Sequence, residues 1–282
     1  MTMLKGLLKS GKSKPKGAKP NGEDENEMSF LEHLEELRWH IVRSVLSIVI
    51  LSIVIFFFKD LVTKIMYAPR YSDFVTHKFL CEHLNVHCDV NQVKIITREL
   101  GEEFITHLKT SLWLGLLLSF PYIFWEIWRF VKPGLYEAER KAARGIVGLC
   151  SLLFFIGVMF GYFIIAPFAI NFLAGYSFGE TNDQTVMLAS YIGYLVMLTF
   201  PVGLIFQLPI ISYILAKIGL LTPGFMRTYR RHAIVIIFII GAVISPPDLP
   251  SQLLIALPLI GLYEISIRIV ARVEKRLQKS MK

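Results

Sequence analysis

Carboxylates and a guanidinium group lie directly in front of the first long apolar run of the sequence. Glu32, Glu35 and Glu36 fall within five residues, and Arg38 follows them. Residues 41–58 are predominantly apolar, so these charges would lie where a membrane helix enters lipid. Two chemistries fit this pattern: Glu–Arg pairs within the helix, each worth about 0.3–0.5 kcal/mol, or an acidic face that binds a cation at a fixed depth. The spacing alone leaves both open.

The helix that carries these charges is predicted to begin at Ser29. Ser29 followed three residues later by Glu32 is a capping box. Apolar residues then recur with helical spacing from Leu31 to Ile41. Residues 1–28 change from lysine-rich to acidic and lack a periodic apolar pattern, which predicts a disordered tail.

The rest of the chain is too apolar for an ordinary soluble domain. Of its 282 residues, 54% are hydrophobic and only 18% are charged. The sequence therefore predicts an all-α integral membrane protein with six transmembrane helices, at residues 39–58, 104–130, 145–166, 191–216, 232–245 and 252–267. The first four segments are long enough for the ~20 residues that a bilayer core requires, and the final two helices are predicted to be short.

The distribution of basic residues predicts the orientation. No Lys or Arg occurs in residues 145–216 or 232–267. With six spans, all the basic clusters fall on one side of the membrane, which the positive-inside rule makes cytoplasmic. Both termini are therefore predicted to be inside. The membrane domain is residues 29–270, between the cytoplasmic tails 1–28 and 271–282.

Prolines, glycines and one amide modify the predicted spans. Pro121 is expected to bend the second helix, and Pro201 and Pro209 to kink the fourth, because each removes a backbone donor. Gln207 lies between the last two prolines. Its amide either hydrogen-bonds a freed carbonyl or faces an intramembrane cavity as a functional polar group. A Gly-x-x-x-Gly pattern beginning at Gly157 predicts a close contact between helices.

The segment between the first two spans contains a pair of cysteines. Cys81 and Cys88 would form a disulfide in an oxidising outer compartment. The alternative is a metal site that also uses His83 and His87, but this spacing fits no zinc template. Cys150, within the third span, is expected to be a small buried apolar residue.

Four motifs, in order along the chain, resemble the TatC family, which provides the multispanning receptor subunit of the twin-arginine protein translocase. The first is Phe30-Leu-Glu-His-Leu-Glu-Glu-Leu-Arg38, and the second is the Trp-x-Phe…Glu-Arg run of residues 127–140. The third is the Gly-x-x-Thr-Pro and Arg-rich segment of residues 219–232, and the fourth is Ser-Pro-Pro-Asp-Leu-Pro-Ser-Gln at residues 245–252.

The resemblance implies a receptor for signal peptides that carry adjacent arginines. Family residues implicated in this recognition correspond to Glu36 and Glu139, and each carboxylate would hold one guanidinium group in a bidentate contact. Arg38 is expected to orient these carboxylates, and Arg140 completes the Glu-Arg pair of the second motif.

Three further positions take their expected roles from the resemblance. At Gln207 the family most often has glutamate, so a proton-relay role is not expected there, whereas a hydrogen-bonding role survives. Asp248 and Gln252 are expected to cap the last helix and order the preceding turn, with contact to a partner as the alternative.

The implied function is the core subunit of a machine that exports folded proteins across the bacterial cytoplasmic (inner) membrane. The proton motive force would drive it, since the sequence has no phosphate-binding loop. The implied partners are signal peptides, small single-span TatA- and TatB-type subunits, the lipid bilayer and further copies of the chain, with no nucleic acid, cofactor or metal.

Two other classes of membrane protein compete with the translocase subunit as interpretations of this sequence. A secondary transporter is the alternative, but the chain lacks the internal repeats expected for one. An intramembrane enzyme would need a Ser and a His facing each other within the spans. The histidines nearest the spans, His40, His107 and His232, lie at their ends, so the chain is predicted not to be an enzyme.

Overall fold

The computed structural model describes residues 30–84, 94–131, 137–175, 185–245 and 249–280; at 30–34, 80, 84, 137–144, 249–250 and 280 it describes the backbone only. Contacts divide the chain into two units, residues 1–39 and residues 40–282. The described helices are α1 (Phe30–Phe56), α2 (Lys59–Tyr67), α3 (Val75–Leu84), α4 (Glu102–Val131), α5 (Glu137–Phe160), α6 (Ala166–Gly175), α7 (Leu188–Ile205), α8 (Leu208–Lys217), α9 (Pro223–Thr228), α10 (Arg230–Ile244) and α11 (Leu249–Ser280). The described strands are β1 (Lys94–Ile96) and β2 (Thr185–Met187), with a 3₁₀ turn at Ala68–Arg70 and a π-helical turn at Gly161–Ile165.

Long apolar helices dominate the described part of the chain, which confirms the predicted all-α membrane fold. Among the described residues, five helical segments are long and apolar enough to cross a bilayer, namely Glu35–Phe56, Glu102–Val131, Gly145–Gly175, Leu188–Lys217 and Ser251–Lys279. They correspond to the first four predicted spans and the sixth. The fifth predicted span is α10, whose 15 residues extend only about 22 Å, short of a ~30 Å core.

The last helix is longer than the sequence predicted. Helix α11 has 32 residues, so the prediction of two short final helices is right for α10 and wrong for α11. Arg, Lys and Glu end the apolar pattern after Ile267, but they are good helix formers and do not end the helix. Residues 271–280, most of the predicted C-terminal tail, are therefore helical.

The fourth span is interrupted rather than smoothly bent. Helix α7 ends before Phe206 and Gln207, and α8 begins directly after them. Pro209 lies in the first turn of α8, where a proline costs little because its missing N–H would have no acceptor within the helix. Pro201 lies inside α7 and Pro121 inside α4, which continues through it. The predicted interruption of the fourth helix is confirmed at its second proline.

The third and fourth spans approach each other closely at glycines. A methyl group added at Gly157 would lie 2.8 Å from the Phe206 side chain, and one at Gly161 would lie 2.7 Å from the carbonyl oxygen of Leu198. Gly203 makes the matching approach from α7, where a methyl group would lie 2.7 Å from a side-chain carbon of α5. The close packing predicted from the Gly-x-x-x-Gly pattern is confirmed.

The core of residues 40–282 is centred on α7 and α11. Leu195 and Leu198 of α7 and Ile255 and Leu259 of α11 are almost completely buried. Helix α7 packs against α5 and α4, while α11 packs against α8 and α10. This arrangement orders the helices that position the polar groups described below.

The π-helical turn in the third span was not predicted, and it is a docking point for the segment between α1 and α4. The Tyr162 hydroxyl donates a hydrogen bond to the Ile65 carbonyl oxygen at 2.5 Å, and the Thr76 hydroxyl donates to the Phe163 carbonyl. The turn therefore holds together elements that are far apart in the sequence.

Two distant loops meet in a short parallel sheet. Strand β1 pairs with β2 in the register Lys94 with Thr185 through Ile96 with Met187. Next to the sheet, the Glu102 carboxylate accepts hydrogen bonds from the backbone amides of Arg98 at 2.8 Å and Ala189 at 3.1 Å. Glu102 thus links the beginning of α4 to the beginning of α7.

Candidate functional site

A buried histidine–carboxylate pair joins the first and second spans. His40 Nδ1 contacts Glu126 Oε2, and the two residues are only 5% and 1% exposed. They lie 86 positions apart in the sequence, one on α1 and the other on α4. An isolated ionised carboxylate is very costly to bury, so the imidazole stabilises Glu126 in this position.

Other side chains complete the surroundings of the pair. The Tyr122 hydroxyl and the Arg43 guanidinium lie close enough to the Glu126 carboxylate to interact with it electrostatically. The Phe130 ring meets the His40 ring edge-on, with the centroids 6.0 Å apart. His40 and Glu126 are called the buried polar cluster below; Tyr122 and Arg43, which lie next to it, are exposed.

The sequence contains a signal for this cluster. Glu126 lies in an otherwise apolar stretch of the second predicted span, and His40 lies at the start of the first. Buried charges in proteins are paired, so each polar residue predicts a partner on a neighbouring span. The sequence does not say which residue that partner is.

Glu36 and Arg38 lie in the smaller unit, at the beginning of α1. Arg38 forms an ion pair with Glu35 at 3.3 Å, and both side chains are 66% exposed. The Arg38 guanidinium also lies 5.7 Å from the Trp39 ring centroid. Glu36 is half-buried. The Glu–Arg pairing predicted from the spacing is therefore present, and it is made by Glu35.

Glu139 and Arg140 lie in the first turn of α5, but their side chains lie outside the part of the chain that the structure describes. A carboxylate in the first turn of a helix is favoured by the helix dipole. Their role in binding stays a prediction.

Gln207 is buried at the interruption between α7 and α8. Its Nε2 donates a hydrogen bond at 3.1 Å to the carbonyl oxygen of Cys150 on α5, and its side chain is 6% exposed. Its Oε1 has no hydrogen-bond partner among the described residues. The amide therefore bonds a carbonyl of a neighbouring span rather than one freed by a proline. The intramembrane cavity expected at Gln207 stays a prediction.

Gln252 connects the last two helices. Its Nε2 donates a hydrogen bond at 3.1 Å to the carbonyl oxygen of Phe238, which joins α11 to α10. This contact agrees with the role in ordering the preceding turn. Asp248, the other residue expected to act there, lies outside the described residues.

The cysteines differ in their surroundings. Cys81 is disulfide-bonded, whereas Cys88, its expected partner, lies outside the described residues. Cys150 is a free thiol with no exposed surface, as expected for a small buried apolar residue. In the described ranges, no three His, Cys, Asp or Glu side chains are grouped to hold a metal ion.

Comparison with known proteins gives a consistent result along the chain. The family model described as "Sec-independent protein translocase protein (TatC)" matches residues 32–258. The protein of that name from Blattabacterium sp. subsp. Periplaneta americana is 36% identical over 264 residues, covering 90% of this chain and 98% of that protein. The one from Campylobacter jejuni is 34% identical over 241 residues, covering 86% of this chain and 93% of that protein. The crystal structure of a twin arginine translocase receptor, TatC, superposes with a TM-score of 0.68 at 34% identity, covering 86% of this chain and 100% of that one.

Proposed function

This chain belongs to the TatC family of Sec-independent protein translocase proteins, and we propose that it is the translocase subunit that binds twin-arginine signal peptides. The observation that carries the proposal is its similarity, over nearly the whole length, to a solved protein described as the twin-arginine translocase receptor. Transport of a small solute, the alternative class, is not favoured by this membership.

The proposed binding groups are the carboxylates of Glu36 and Glu139. Two guanidinium groups require two anionic partners in a fixed geometry, and a carboxylate can accept two parallel hydrogen bonds from each arginine fork. Lysine lacks this fork, so a peptide with two lysines would bind more weakly. Arg38 and Arg140 support these carboxylates rather than contact the peptide.

We assign the buried polar cluster a positioning role in this function. His40 follows Glu36 by four residues, and Glu126 precedes Glu139 by thirteen residues. The His40–Glu126 contact holds the part of α1 that begins at His40 against α4. It would act by keeping these elements in register, without touching the peptide.

The remaining parts of the proposal follow from the family and from the charge distribution. The chain spans the bacterial cytoplasmic membrane with both termini inside, because its basic residues cluster on one side. It moves folded cargo together with small single-span TatA- and TatB-type subunits, using the proton motive force. Gln207 contributes a hydrogen bond to transport, and no proton transfer.

The experiment that tests receptor function is photocrosslinking of signal peptides to the detergent-solubilised protein. A peptide with an Arg-Arg pair is compared with the same peptide carrying Lys-Lys. We expect selective capture of the Arg-Arg peptide by the wild-type protein, and loss of capture in the double variant Glu36→Gln/Glu139→Gln. These isosteric changes remove the charges and keep the side-chain volumes.

The matched control is Glu35→Gln/Glu137→Gln, which removes two carboxylates from the same two helices. We expect this control to capture the Arg-Arg peptide as the wild type does. Equal capture of both peptides by the wild-type protein, or equal losses in the two double variants, would refute the assignment of Glu36 and Glu139.

A further inference from the structure

Two adjoining cavities lie between α2, α4 and α7, the second at the beginnings of α4 and α7 and the first further along both helices, where α5 also lines it. The first has a volume of about 150 Å³ and the second about 250 Å³. Both are bounded by Met66 and Thr110, so they share part of their walls. The proposed receptor function uses neither of them.

The first cavity has an apolar lining. Trp113, Leu117, Val196 and Phe200 contribute to its walls. A dry apolar cavity of about this volume binds small apolar molecules rather than water. The first cavity therefore suits a short part of a hydrocarbon chain.

The hydroxyl groups in the same walls already donate hydrogen bonds within the protein. The Thr110 hydroxyl donates to the Thr106 carbonyl oxygen at 2.7 Å, and the Tyr162 hydroxyl donates to Ile65. Neither hydroxyl proton is left to bond a polar ligand, which again favours a hydrocarbon occupant.

The second cavity carries opposite charges at its mouth. Lys59 and Glu103 both line it and are exposed, and neither forms an ion pair with another residue in the described part of the chain. His107 lines it as well, close enough to Lys59 to feel its charge, while its ring is stacked on Phe56 at 4.6 Å between centroids. An ammonium group and a carboxylate at one opening match a ligand that carries both an anion and a cation.

We propose that the two cavities together bind one phospholipid with a zwitterionic, primary-amine headgroup, of the phosphatidylethanolamine class. Part of one acyl chain occupies the apolar cavity, the phosphate binds Lys59, and the headgroup ammonium donates hydrogen bonds to Glu103. Lys59 follows directly on the apolar helix α1, so its ammonium lies at the level where a headgroup would be found.

The charges account for selection among lipids. Phosphatidylglycerol carries the same phosphate but no ammonium, so Glu103 would have no cation to bind and would be repelled by the net negative charge of that lipid. A choline headgroup is zwitterionic too, but its quaternary nitrogen has no N–H to donate to the carboxylate. Phosphatidylethanolamine satisfies both Lys59 and Glu103.

The test is native mass spectrometry of the purified full-length protein after delipidation, with phosphatidylethanolamine, phosphatidylcholine and phosphatidylglycerol of identical acyl chains added back. We expect the wild type to retain phosphatidylethanolamine best. Lys59→Met should lower its retention about fivefold, the typical effect of one Lys near an anionic lipid surface. Glu103→Gln should raise retention of phosphatidylglycerol relative to phosphatidylethanolamine.

Two matched controls distinguish the site from general lipid adhesion. Lys64→Met removes a cation from the same helix, α2, at a position that lines neither cavity. Val196→Phe fills the apolar cavity and should lower retention of all three lipids, whereas Met197→Phe, exposed on the same helix, should not.

Retention of phosphatidylglycerol equal to or above that of phosphatidylethanolamine by the wild type would overturn the proposal. So would losses in Lys64→Met as large as those in Lys59→Met. Since no signal peptide enters this measurement, its failure would leave the receptor function standing, and failure of the receptor function would leave the lipid site standing.

Discussion

Removing the carboxylate of Glu126 is expected to destabilise the protein strongly, because His40 would lose its buried partner. Breaking a buried charged pair by deleting one member costs about 3–5 kcal/mol. For a chain of this length, each kcal/mol corresponds to roughly 2–4 °C in Tm, so Glu126→Ala should lower Tm on the order of 10 °C. Glu126→Gln keeps an acceptor for the imidazole and should cost only about 1 kcal/mol.

The pair itself is tested by replacing both members. In His40→Leu/Glu126→Leu neither polar group remains to be satisfied, and such replacements are often neutral. We expect the free energy of unfolding of the double variant to lie within about 1 kcal/mol of that of the wild type. This loss would be far smaller than the sum of the losses in the two single variants. Thermal unfolding of all variants in one detergent at one pH measures this.

The control for the series is Lys109→Ala, which removes an exposed charge from the same helix, α4, and should change stability by less than about 0.5 kcal/mol. Additive effects of His40→Leu and Glu126→Leu would refute the reasoning, because additivity would mean that the two side chains do not stabilise each other. Peptide crosslinking on the stable double variant then tests the positioning role separately from stability.

Three other predictions follow from the packing of the spans. Gly157→Leu should lower the free energy of unfolding by about 1–3 kcal/mol, because the added side chain has no space. At Gly148 an added methyl group would have no atom within 4 Å, so Gly148→Ala should be neutral or slightly stabilising in the same thermal assay. Gln207→Leu removes the hydrogen bond to Cys150 together with Oε1, which has no partner among the described residues. The free energy of unfolding obtained from Tm should therefore change by no more than about 1 kcal/mol, and a larger loss would contradict this account. A helix as short as α10 is expected to thin the bilayer around it. Inserting one helical turn in α10 should therefore abolish export of a folded reporter, the proposed function, while the protein remains in the membrane; continued export would exclude that role.

Much of the fold could be predicted because it is determined by local properties of the sequence. Apolar length determines the first four spans, and a proline in the middle of an apolar segment predicted the interruption next to Gln207. The Gly157 pattern predicted a close contact because only glycine permits two backbones to come so near.

The remaining features depend on contacts between residues far apart in the sequence. The His40–Glu126 pair and the β1–β2 sheet join segments separated by tens of residues, and no local pattern specifies which partner each will find. The extension of α11 beyond Ile267 was missed for a different reason. Apolar length measures how much of a helix can be buried in lipid, and charged residues extend a helix beyond that point without a change in backbone structure.

The π-helical turn at Gly161–Ile165 makes the third span two helices that are out of phase with each other. An α-helix rotates by about 100° per residue, and a π-turn holds roughly one residue more than an α-turn does. A stripe of positions counted along α5 therefore does not continue onto the same side of α6. The side that α5 presents to α7 and the side that α6 presents to the 3₁₀ turn Ala68–Arg70 are therefore offset from the positions that one unbroken α-helix would give them. With this offset, a single span packs against both neighbours.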